Sequence, residues 1–208
     1  SSNMLLAMID AASKEYPKAV YAVHLDHGNE EHAFDAIESD KYQSIMIDAS
    51  HADFETNVKR TKKVVGKAHK KDIVVEAELG VLSGVEDDIS IDEKQAKYTQ
   101  PSEVEEFVAL TQCDSLAVAV GTSHGAYKFS GGQGLQFDIL EEIQERLPKF
   151  PIVLHGGSAV NKEEISRINE AGGDLSESAA GVAPEEIVKS IKYGVCKINI
   201  ATDTRLLW

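Results

Sequence analysis

Short apolar runs recur along the chain and alternate with stretches in which apolar residues return at helical spacing. The runs, which predict strands, are residues 19–25, 44–47, 73–79, 115–120, 151–155 and 195–200. The amphipathic stretches, which predict helices, are residues 54–71, 101–112, 137–147, 161–172 and 184–194. Strands that alternate with helices in this way form a parallel sheet, either open or closed into a barrel.

Polar residues at the ends of the predicted strands distinguish a barrel from an open sheet. The six strand ends read LDHG, IDASH, EAELG, GTSHG, LHGGS and NIATD. In a parallel barrel the carboxyl ends of all strands surround one mouth, where the active site is built. An open sheet would instead concentrate its chemistry at one switch point. The pattern therefore favours a barrel.

The length of the chain limits how much of a barrel it can form. It has 208 residues, whereas an eight-stranded barrel typically needs about 250. We therefore predict a single α/β domain over residues 1–208, an incomplete (β/α)8 TIM barrel with six βα units. The chain lacks an initiating methionine and ends in an apolar run, so we expect a piece of a longer protein.

One connection, residues 80–100, is much longer than the others and has no helical period. It holds two glycines and five acidic residues. Loops of this length in compact domains are typical of active-site lids. We expect a mobile lid over the mouth of the barrel.

Charge and cysteine content narrow the range of partners and compartments. The formal net charge of −14 argues against binding to nucleic acid or to anionic membranes. Cys113 and Cys196 have neither zinc-site nor disulfide-framework spacing, which favours a reducing, cytoplasmic compartment. No apolar segment of the sequence is long enough to cross a bilayer.

Three of the predicted strand ends carry a histidine, namely His27, His124 and His155. Three imidazoles that converge on one mouth match a catalytic zinc site, whose fourth position stays open for water or substrate. Imidazole binds zinc as a neutral ligand. The remaining histidines are expected behind the site or on the surface: His24, His32, His51 and His69.

Seven motifs resemble, in order and spacing, those of the class II (zinc-dependent) fructose-bisphosphate aldolases. They are HLDHG, MIDASH, VEAELG, GVEDD, AVGTSHGAYKF, VLHGGS and KINIATDTR. The resemblance implies an eight-stranded barrel, here without two N-terminal strands and the C-terminal helices. It also implies reversible cleavage of fructose 1,6-bisphosphate to dihydroxyacetone phosphate and glyceraldehyde 3-phosphate, as in glycolysis and gluconeogenesis, by a homodimer or homotetramer.

The resemblance assigns roles to matching positions. The catalytic zinc would be held by His27, His124 and His155. Asp26 would remove and return the C4 hydroxyl proton, and Glu86 would move protons at the nascent enediolate carbon. Asp48 and Glu78 match carboxylates associated with a second cation or an alternative metal position. The groups that match the binding site for the dihydroxyacetone phosphate end are Gly125, Lys128, Gly156, Gly157, Ser158, Asn199, Ile200, Ala201 and Thr202.

The chemistry explains why these residue types are needed. Breaking a carbon–carbon bond beside a ketone leaves an electron pair that must be stored as an enediolate. Zinc stabilises that charge as a Lewis acid, so no Schiff-base lysine is required. A separate acid–base group must lie within reach of the C4 oxygen, and Asp26 adjoins a metal ligand. Glycines allow a phosphate to approach backbone N–H groups.

Several alternatives stay open at this point. Ala201 stands where fructose enzymes often carry aspartate, and alanine occurs there in tagatose-bisphosphate aldolases, whereas Lys128 resembles the fructose enzymes. The chain would also fit a noncatalytic metal-binding fragment or a metal-dependent barrel hydrolase. Asp48 would also suit a turn cap, and the acidic run around Glu86 would also suit a solvated loop.

Overall fold

The computed structural model describes residues 2–81, 83–86, 89–91, 97–124, 134–177 and 181–207. Its strands are β1 (His24–Gly28), β2 (Ser44–Ile47), β3 (Val74–Leu79), β4 (Ser83–Glu86), β5 (Ile89–Ile91), β6 (Ser115–Val118), β7 (Ser123–His124), β8 (Ile152–Leu154) and β9 (Val195–Ile198). Its helices are α1 (Ser2–Glu15), α2 (Glu30–Glu38), α3 (Phe54–Ala68), α4 (Pro101–Thr111), α5 (Phe137–Arg146), α6 (Lys162–Glu170), α7 (Pro184–Ser190) and α8 (Thr202–Leu207). Short 3-10 turns extend α3 and α7. Among the described helices, none combines the length and the apolar character that a membrane span requires.

Six of the described strands form one parallel sheet in the order β1-β2-β3-β6-β8-β9. Side chains from the two edges of this sheet meet. The amide of Asn199, just after β9, donates to the Asp26 carboxylate of β1 over 3.1 Å, and Lys197 Nζ lies 3.4 Å from His24 Nε2. The sheet is therefore curled into a half-barrel, which confirms the predicted α/β architecture and its incompleteness.

The two faces of the curled sheet have different characters. Residues at alternate strand positions face the helices, among them Ile45, Val75, Leu116 and Ile152, and they share the main buried cluster with the helix residues Phe107 and Leu140. On the inner face, Met46, Ala117 and Val153 form a small separate cluster. Val75, Ala77 and Leu79 belong to the helix-facing cluster, so the intervening Glu76 and Glu78 point into the barrel. The interior of the half-barrel therefore carries charge.

The predicted strand over residues 19–25 is wrong in its first part, because β1 begins only at His24. The ladder with β2 starts where His24 lies opposite Ser44. Residues 19–22 precede the pairing of β1 with β2, which begins with the hydrogen bonds between Val23 and Gln43, and Val20 is fully exposed. Apolar side chains do not form a strand without a neighbouring strand to pair with. As a result, the HLDHG motif is the strand itself rather than the segment after it.

Helix α2 was missed by the periodicity because its apolar face is short. Buried Ala33, Ala36 and Ile37 form that face, which spans little more than one turn. Its start is encoded locally instead: the side chain of Asn29 accepts a hydrogen bond from the His32 backbone N–H. Such an N-cap satisfies one of the free donors at the beginning of a helix.

Part of the long connection over residues 80–100 is a β-hairpin. Strands β4 and β5 pair antiparallel, and β4 also pairs in parallel with β7, so that Gly84 lies opposite His124. This small sheet is separate from the six-stranded one. Residues 82, 87–88 and 92–96 lie outside the described part of the chain. The mobility of this connection stays a prediction.

The substitution Phe107→Ala tests the layer between the sheet and the helices. Phe107 is fully buried, and its ring packs edge-on against Phe54 with centroids 6.0 Å apart. We expect the free energy of unfolding to fall by about 3–5 kcal/mol, because the change opens a large cavity. Urea denaturation measures this loss. Leu110→Ala on the same helix, where the leucine is 40% exposed, should change stability by no more than about 0.5 kcal/mol. Equal losses for both variants would contradict the packing described above.

Candidate metal centre

A β-bulge brings two consecutive residues of β1 to the same site. Leu25 lies opposite Ile45, and Gly28 lies opposite Ile47. Between these two pairs β1 has two residues, Asp26 and His27, whereas β2 has only one. His27 adopts a left-handed backbone conformation with φ +44°, which is uncommon for a residue with a side chain. In a regular strand Asp26 and His27 would point to opposite faces. The bulge lets both reach His155, with potential ligand atoms of all three within 4.8 Å of one another.

The central feature of the site is a pair of imidazoles that face each other. His27 Nε2 and His155 Nδ1 are 2.8 Å apart, and the two rings are nearly perpendicular. The opposite nitrogen of each ring is occupied by a carboxylate: His27 Nδ1 lies 3.0 Å from Asp48, and His155 Nε2 lies 2.9 Å from Glu76. A neutral imidazole that donates to a carboxylate has a lone pair on its other nitrogen. When both rings are neutral and donate to these carboxylates, the two facing nitrogens are both electron-pair donors.

Facing lone pairs repel each other, whereas a cation between them would bind both. Two nitrogens on one tetrahedral zinc, each at about 2.0–2.1 Å, are about 3.3 Å apart. The observed separation of His27 Nε2 and His155 Nδ1 is 2.8 Å, so a shift of about half an ångström would seat the ion. Imidazole nitrogens with a nearby carboxylate suit zinc and similar divalent ions. The residues present fit a divalent metal.

Asp48 orients His27 and also closes a local turn. Its Oδ1 accepts hydrogen bonds from the backbone N–H and the hydroxyl of Ser50, at 3.0 and 2.7 Å. Burial alone would raise the pKa of Asp48, but the hydrogen bonds from His27 and Ser50 outweigh it and lower the pKa below its usual range. Both oxygens of this ionised carboxylate are thus engaged. A role of Asp48 as a cation ligand stays a prediction.

Glu78 is the group whose surroundings most resemble those of a second cation ligand. Its side chain is 3% exposed, and its Oε2 has no hydrogen-bond partner among the described residues. Burial, followed by the negative charge of Asp48, raises the pKa of Glu78 well above its ordinary value. His27, Asp48 and Glu78 offer ligand atoms within 4.8 Å of one another. A cation there would satisfy the orphaned oxygen and relieve the repulsion.

The segments after β8 and β9 are joined beside the imidazole pair. The Gly157 backbone N–H donates to the Asn199 carbonyl over 3.0 Å, and the Ala201 backbone N–H donates to the Ser158 hydroxyl over 3.2 Å. A Cβ atom on Gly157 would collide with Ile198, so glycine is required there. The two strand ends therefore form one rigid wall of the site.

The residues of the predicted phosphate-binding group differ in exposure. Ser158 and Thr202 are buried, whereas Ile200 is 55% exposed. Gly156 has φ +64°, a left-handed conformation that favours glycine. Asp203 fixes the loop after Gly157 because its carboxylate accepts from the backbone N–H groups of the two residues that follow Ser158, each over 2.8 Å.

The remaining predicted site residues fall partly outside the described structure. Gly125 and Lys128 lie in the undescribed range 125–133, and the side chains of Glu86 and His124 are likewise outside the described part. At the level of the backbone, β4, which ends at Glu86, pairs with the strand that holds His124. The third imidazole ligand and the second acid–base group therefore stay predictions.

Three functional candidates were missed or undervalued by sequence reasoning: Glu76, Lys197 and His24. Glu76 is buried in β3, and its Oε2 accepts from Lys197 Nζ over 2.8 Å. Burial opposes ionisation of Glu76, but hydrogen bonds from His155 and the charge of Lys197 lower its pKa. Burial, then the charge of Lys197, lowers the pKa of His24. The sequence signal for Glu76 and Lys197 is a charged residue inside an apolar run that predicts a strand. Charged residues are rarely buried unless they are paired, so such a position indicates a buried partner.

The substitution Glu78→Gln is expected to stabilise the metal-free protein at pH 8. Because the pKa of Glu78 is raised in the folded protein, Glu78 keeps its proton there at pH values at which the unfolded chain has already lost it. The free energy of unfolding therefore falls as the pH rises between the unfolded and the folded pKa values. Glutamine does not titrate and avoids this loss. In EDTA, we expect the melting temperature to rise by about 2–4 °C for each 1 kcal/mol gained, with a smaller gain at pH 5.

Differential scanning fluorimetry at both pH values measures the effect. Glu103→Gln, at an exposed position of α4, is the control and should leave the melting temperature unchanged at both. A lower melting temperature for Glu78→Gln at pH 8 would show that the buried carboxylate is not a source of instability.

Comparison with known proteins shows which family this chain is similar to. The family model described as fructose-bisphosphate aldolase class II matches residues 1–208. The fructose-bisphosphate aldolase of Thermus caldophilus is 46% identical over 97% of this chain and 65% of its own length. The corresponding protein of Helicobacter pylori strain 26695 is 45% identical over 98% of this chain and 66% of its own length.

A solved structure gives the same result for the fold. A crystal structure of a candidate fructose-1,6-biphosphate aldolase from Coccidioides immitis has 30% sequence identity and a TM-score of 0.71, over 95% of this chain and 62% of that one. The chain thus spans slightly less than two thirds of the length of the curated relatives reported above. With its family model matched from end to end, the chain belongs to the class II fructose-bisphosphate aldolase family.

Proposed function

We propose that this chain carries the metal and acid–base centre of an enzyme that cleaves fructose 1,6-bisphosphate, reversibly and with zinc, to dihydroxyacetone phosphate and glyceraldehyde 3-phosphate. One observation carries the proposal: the facing imidazole nitrogens of His27 and His155 are each backed by a carboxylate, with Asp26 beside them. The names of the relatives support the reaction class. Because the chain covers about two thirds of their length, the activity of the whole protein is part of this proposal.

The metal would be held by His27 Nε2, His155 Nδ1 and the predicted third ligand His124. When bound, the ion supplies Lewis-acid stabilisation of the negative charge that develops beside the ketone. Asp48 and Glu76 hold the two described rings with their donor nitrogens turned inward. This fixed orientation means that little reorganisation is needed during the reaction.

Asp26 is suited to proton transfer because it is accessible and held in place. Its side chain is 44% exposed, and Asn199 Nδ2 donates to its Oδ1 over 3.1 Å. In the cleavage direction Asp26 would take the C4 hydroxyl proton as the C3–C4 bond breaks and the C4 oxygen becomes the aldehyde oxygen. The electron pair stays on C3, to which Glu86 would supply a proton. Condensation reverses these transfers.

The wall formed by the ends of β8 and β9 would bind the dihydroxyacetone phosphate end. Gly157 lets the end of β8 pack closely against Ile198 and Asn199, and Ser158 and Asn199 add polar side chains. Since the chain has a net charge of −14, a phosphate needs local donors to overcome the general repulsion. Lys128 and Gly125 would complete this group.

Tagatose 1,6-bisphosphate is the second candidate substrate, and a single position favours it. The side chain of Ala201 is only a methyl group, and its backbone N–H already donates to Ser158. A carboxylate common in fructose enzymes is therefore missing next to Asn199, where contacts to the C4 side of the sugar would be altered. Lys128 favours fructose, and fructose is the substrate that we propose.

The setting of the reaction is also a proposal. We expect a cytoplasmic enzyme of glycolysis and gluconeogenesis, and a homodimer or homotetramer. Both cysteines are free, as a reducing compartment would have them. The net charge of −14 supports the expectation that the protein binds neither nucleic acid nor membranes.

A coupled cleavage assay with both sugar bisphosphates tests the proposal. It is performed on the 208-residue chain and on any longer polypeptide that contains it, after EDTA treatment and after addition of zinc. We expect cleavage of fructose 1,6-bisphosphate to disappear with EDTA, return with zinc, and exceed that of the tagatose isomer. Cleavage insensitive to EDTA would exclude the metal mechanism. Zinc binding without cleavage in every form would identify a noncatalytic module.

Asp26→Asn tests the acid–base role in the active form of the protein. Asparagine keeps the shape of the side chain but cannot accept the C4 proton, so kcat should fall by about 10²- to 10⁴-fold. Asp138→Asn, at an exposed position of α5, is the matched control and should have the activity of the unaltered protein. Unchanged kcat in Asp26→Asn would remove Asp26 from the mechanism.

A further inference from the structure

We propose that Lys197 is a positioning residue for the metal centre: it holds the Glu76 carboxylate so that Glu76 in turn fixes the orientation of the His155 ring. This inference rests on the proposed role of His155 as a metal ligand. It concerns two residues inside the barrel, neither of which is among the predicted metal ligands or acid–base groups.

The geometry divides the two oxygens of Glu76 between two partners. Oε1 lies 2.9 Å from His155 Nε2, and Oε2 lies 2.8 Å from Lys197 Nζ. The three residues come from β3, the end of β8 and β9, so the contact links three parts of the sheet. Glu76 is 1% exposed and His155 is fully buried, whereas the Lys197 side chain is 35% exposed.

A buried carboxylate is strongly destabilising unless a partner compensates its charge. Lys197 supplies the full positive charge in direct contact with Glu76. A neutral histidine alone would donate one hydrogen bond without a net charge. The lysine therefore compensates the Glu76 carboxylate and holds it in place in the interior.

The contact with Glu76 decides which nitrogen of His155 faces the metal position. Oε1 of Glu76 holds Nε2, so that Nδ1 faces His27 Nε2 at 2.8 Å. A carboxylate that is itself held by Lys197 accepts from Nε2 in a fixed place, which leaves the lone pair on Nδ1. Without the lysine, the Glu76 side chain is free to turn and the His155 ring loses the contact that sets its orientation. Lys197 thus acts on the metal through two intervening residues.

The surroundings of Lys197 indicate that its ammonium group occupies a built cation position. His24, Asp26 and Glu76 offer ligand atoms within 4.8 Å of one another, as a metal site would. Lys197 Nζ lies 2.8 Å from Glu76 and 3.4 Å from His24 Nε2. The ammonium group of Lys197 therefore supplies the positive charge beside His24, Asp26 and Glu76. The His27–His155 pair differs from this cluster because it fits an external ion.

The test compares Lys197→Met with Lys71→Met. Methionine keeps much of the length of lysine and removes the charge. Lys71 is a matched control because it also pairs with a carboxylate, Asp40 at 2.9 Å, and is similarly exposed at 33%, but that pair is on the surface between α2 and α3. Zinc affinity is measured by competition with a chromophoric chelator. We expect Lys197→Met to bind zinc about 10- to 100-fold more weakly, Lys71→Met to bind as the unaltered protein does, and Lys197→Arg to recover most of the affinity.

A second readout does not depend on activity or on bound metal. Nitrogen-15 NMR of the histidines in the metal-free protein reports which ring nitrogen carries the proton. We expect His155 to carry it on Nε2 in the unaltered protein and in Lys71→Met, and to shift toward Nδ1 in Lys197→Met. Glu76→Gln, which removes the charge at its source, should shift the same equilibrium if Lys197→Met proves unstable.

Two results would overturn the inference. One is Lys197→Met with unchanged zinc affinity and an unchanged His155 tautomer. The other is an equal loss of affinity in Lys71→Met, which would point to general destabilisation. If the unaltered protein binds no zinc, the proposed function fails, while the tautomer measurement still decides the role of Lys197.

Discussion

The site depends on holding two imidazoles with one nitrogen of each directed at the same point. His27 Nε2 and His155 Nδ1 approach to 2.8 Å, so a single cation between them would contact both rings. Two carboxylates, Asp48 and Glu76, impose it by taking the far nitrogen of each ring. Much of the local architecture follows from this constraint, including the bulge in β1 that allows Asp26 and its neighbour to face the same site.

The two faces of the sheet have different roles: one face supplies apolar packing against the helices, and the other carries the charged groups of the interior. The helix-facing side is an apolar layer that extends over most of the elements. The inner face carries Glu76, Glu78 and Lys197 beside a small apolar cluster. Buried charge of this kind destabilises a fold unless it is paired, and Glu78 Oε2 lacks a partner among the described residues. The most strained electrostatics therefore coincide with the centre that fits metal, as expected where stability is exchanged for function.

Periodicity in the sequence predicted most of the elements, for identifiable reasons. The helix over 54–71 has a wide apolar face, and β2 coincides with a short β-branched and apolar run. Residues 19–23 were wrongly predicted to be part of a strand because they are apolar, although they precede His24, the first residue of β1. Helix α2 escaped because its signal is the Asn29 cap rather than a long apolar face.

The convergence of the site was predictable, but its supporting contacts were not. Parallel strands deliver their ends to one mouth, so His27 and His155 could be expected to meet, and they do. The register shift in β1 depends on its pairing with β2, and Glu76 pairs with a lysine 121 positions away. No local pattern encodes either contact. Chain order shows which strand carries a charge but not which partner compensates it.

Zinc K-edge X-ray absorption on the zinc-loaded protein tests the central claim most directly. The account predicts a first shell of nitrogen and oxygen at about 2.0–2.1 Å, with the outer-shell scattering of at least two imidazoles, and loss of one imidazole in His155→Ala. A first shell containing sulfur at about 2.3 Å, or a spectrum unchanged by His155→Ala, would contradict it.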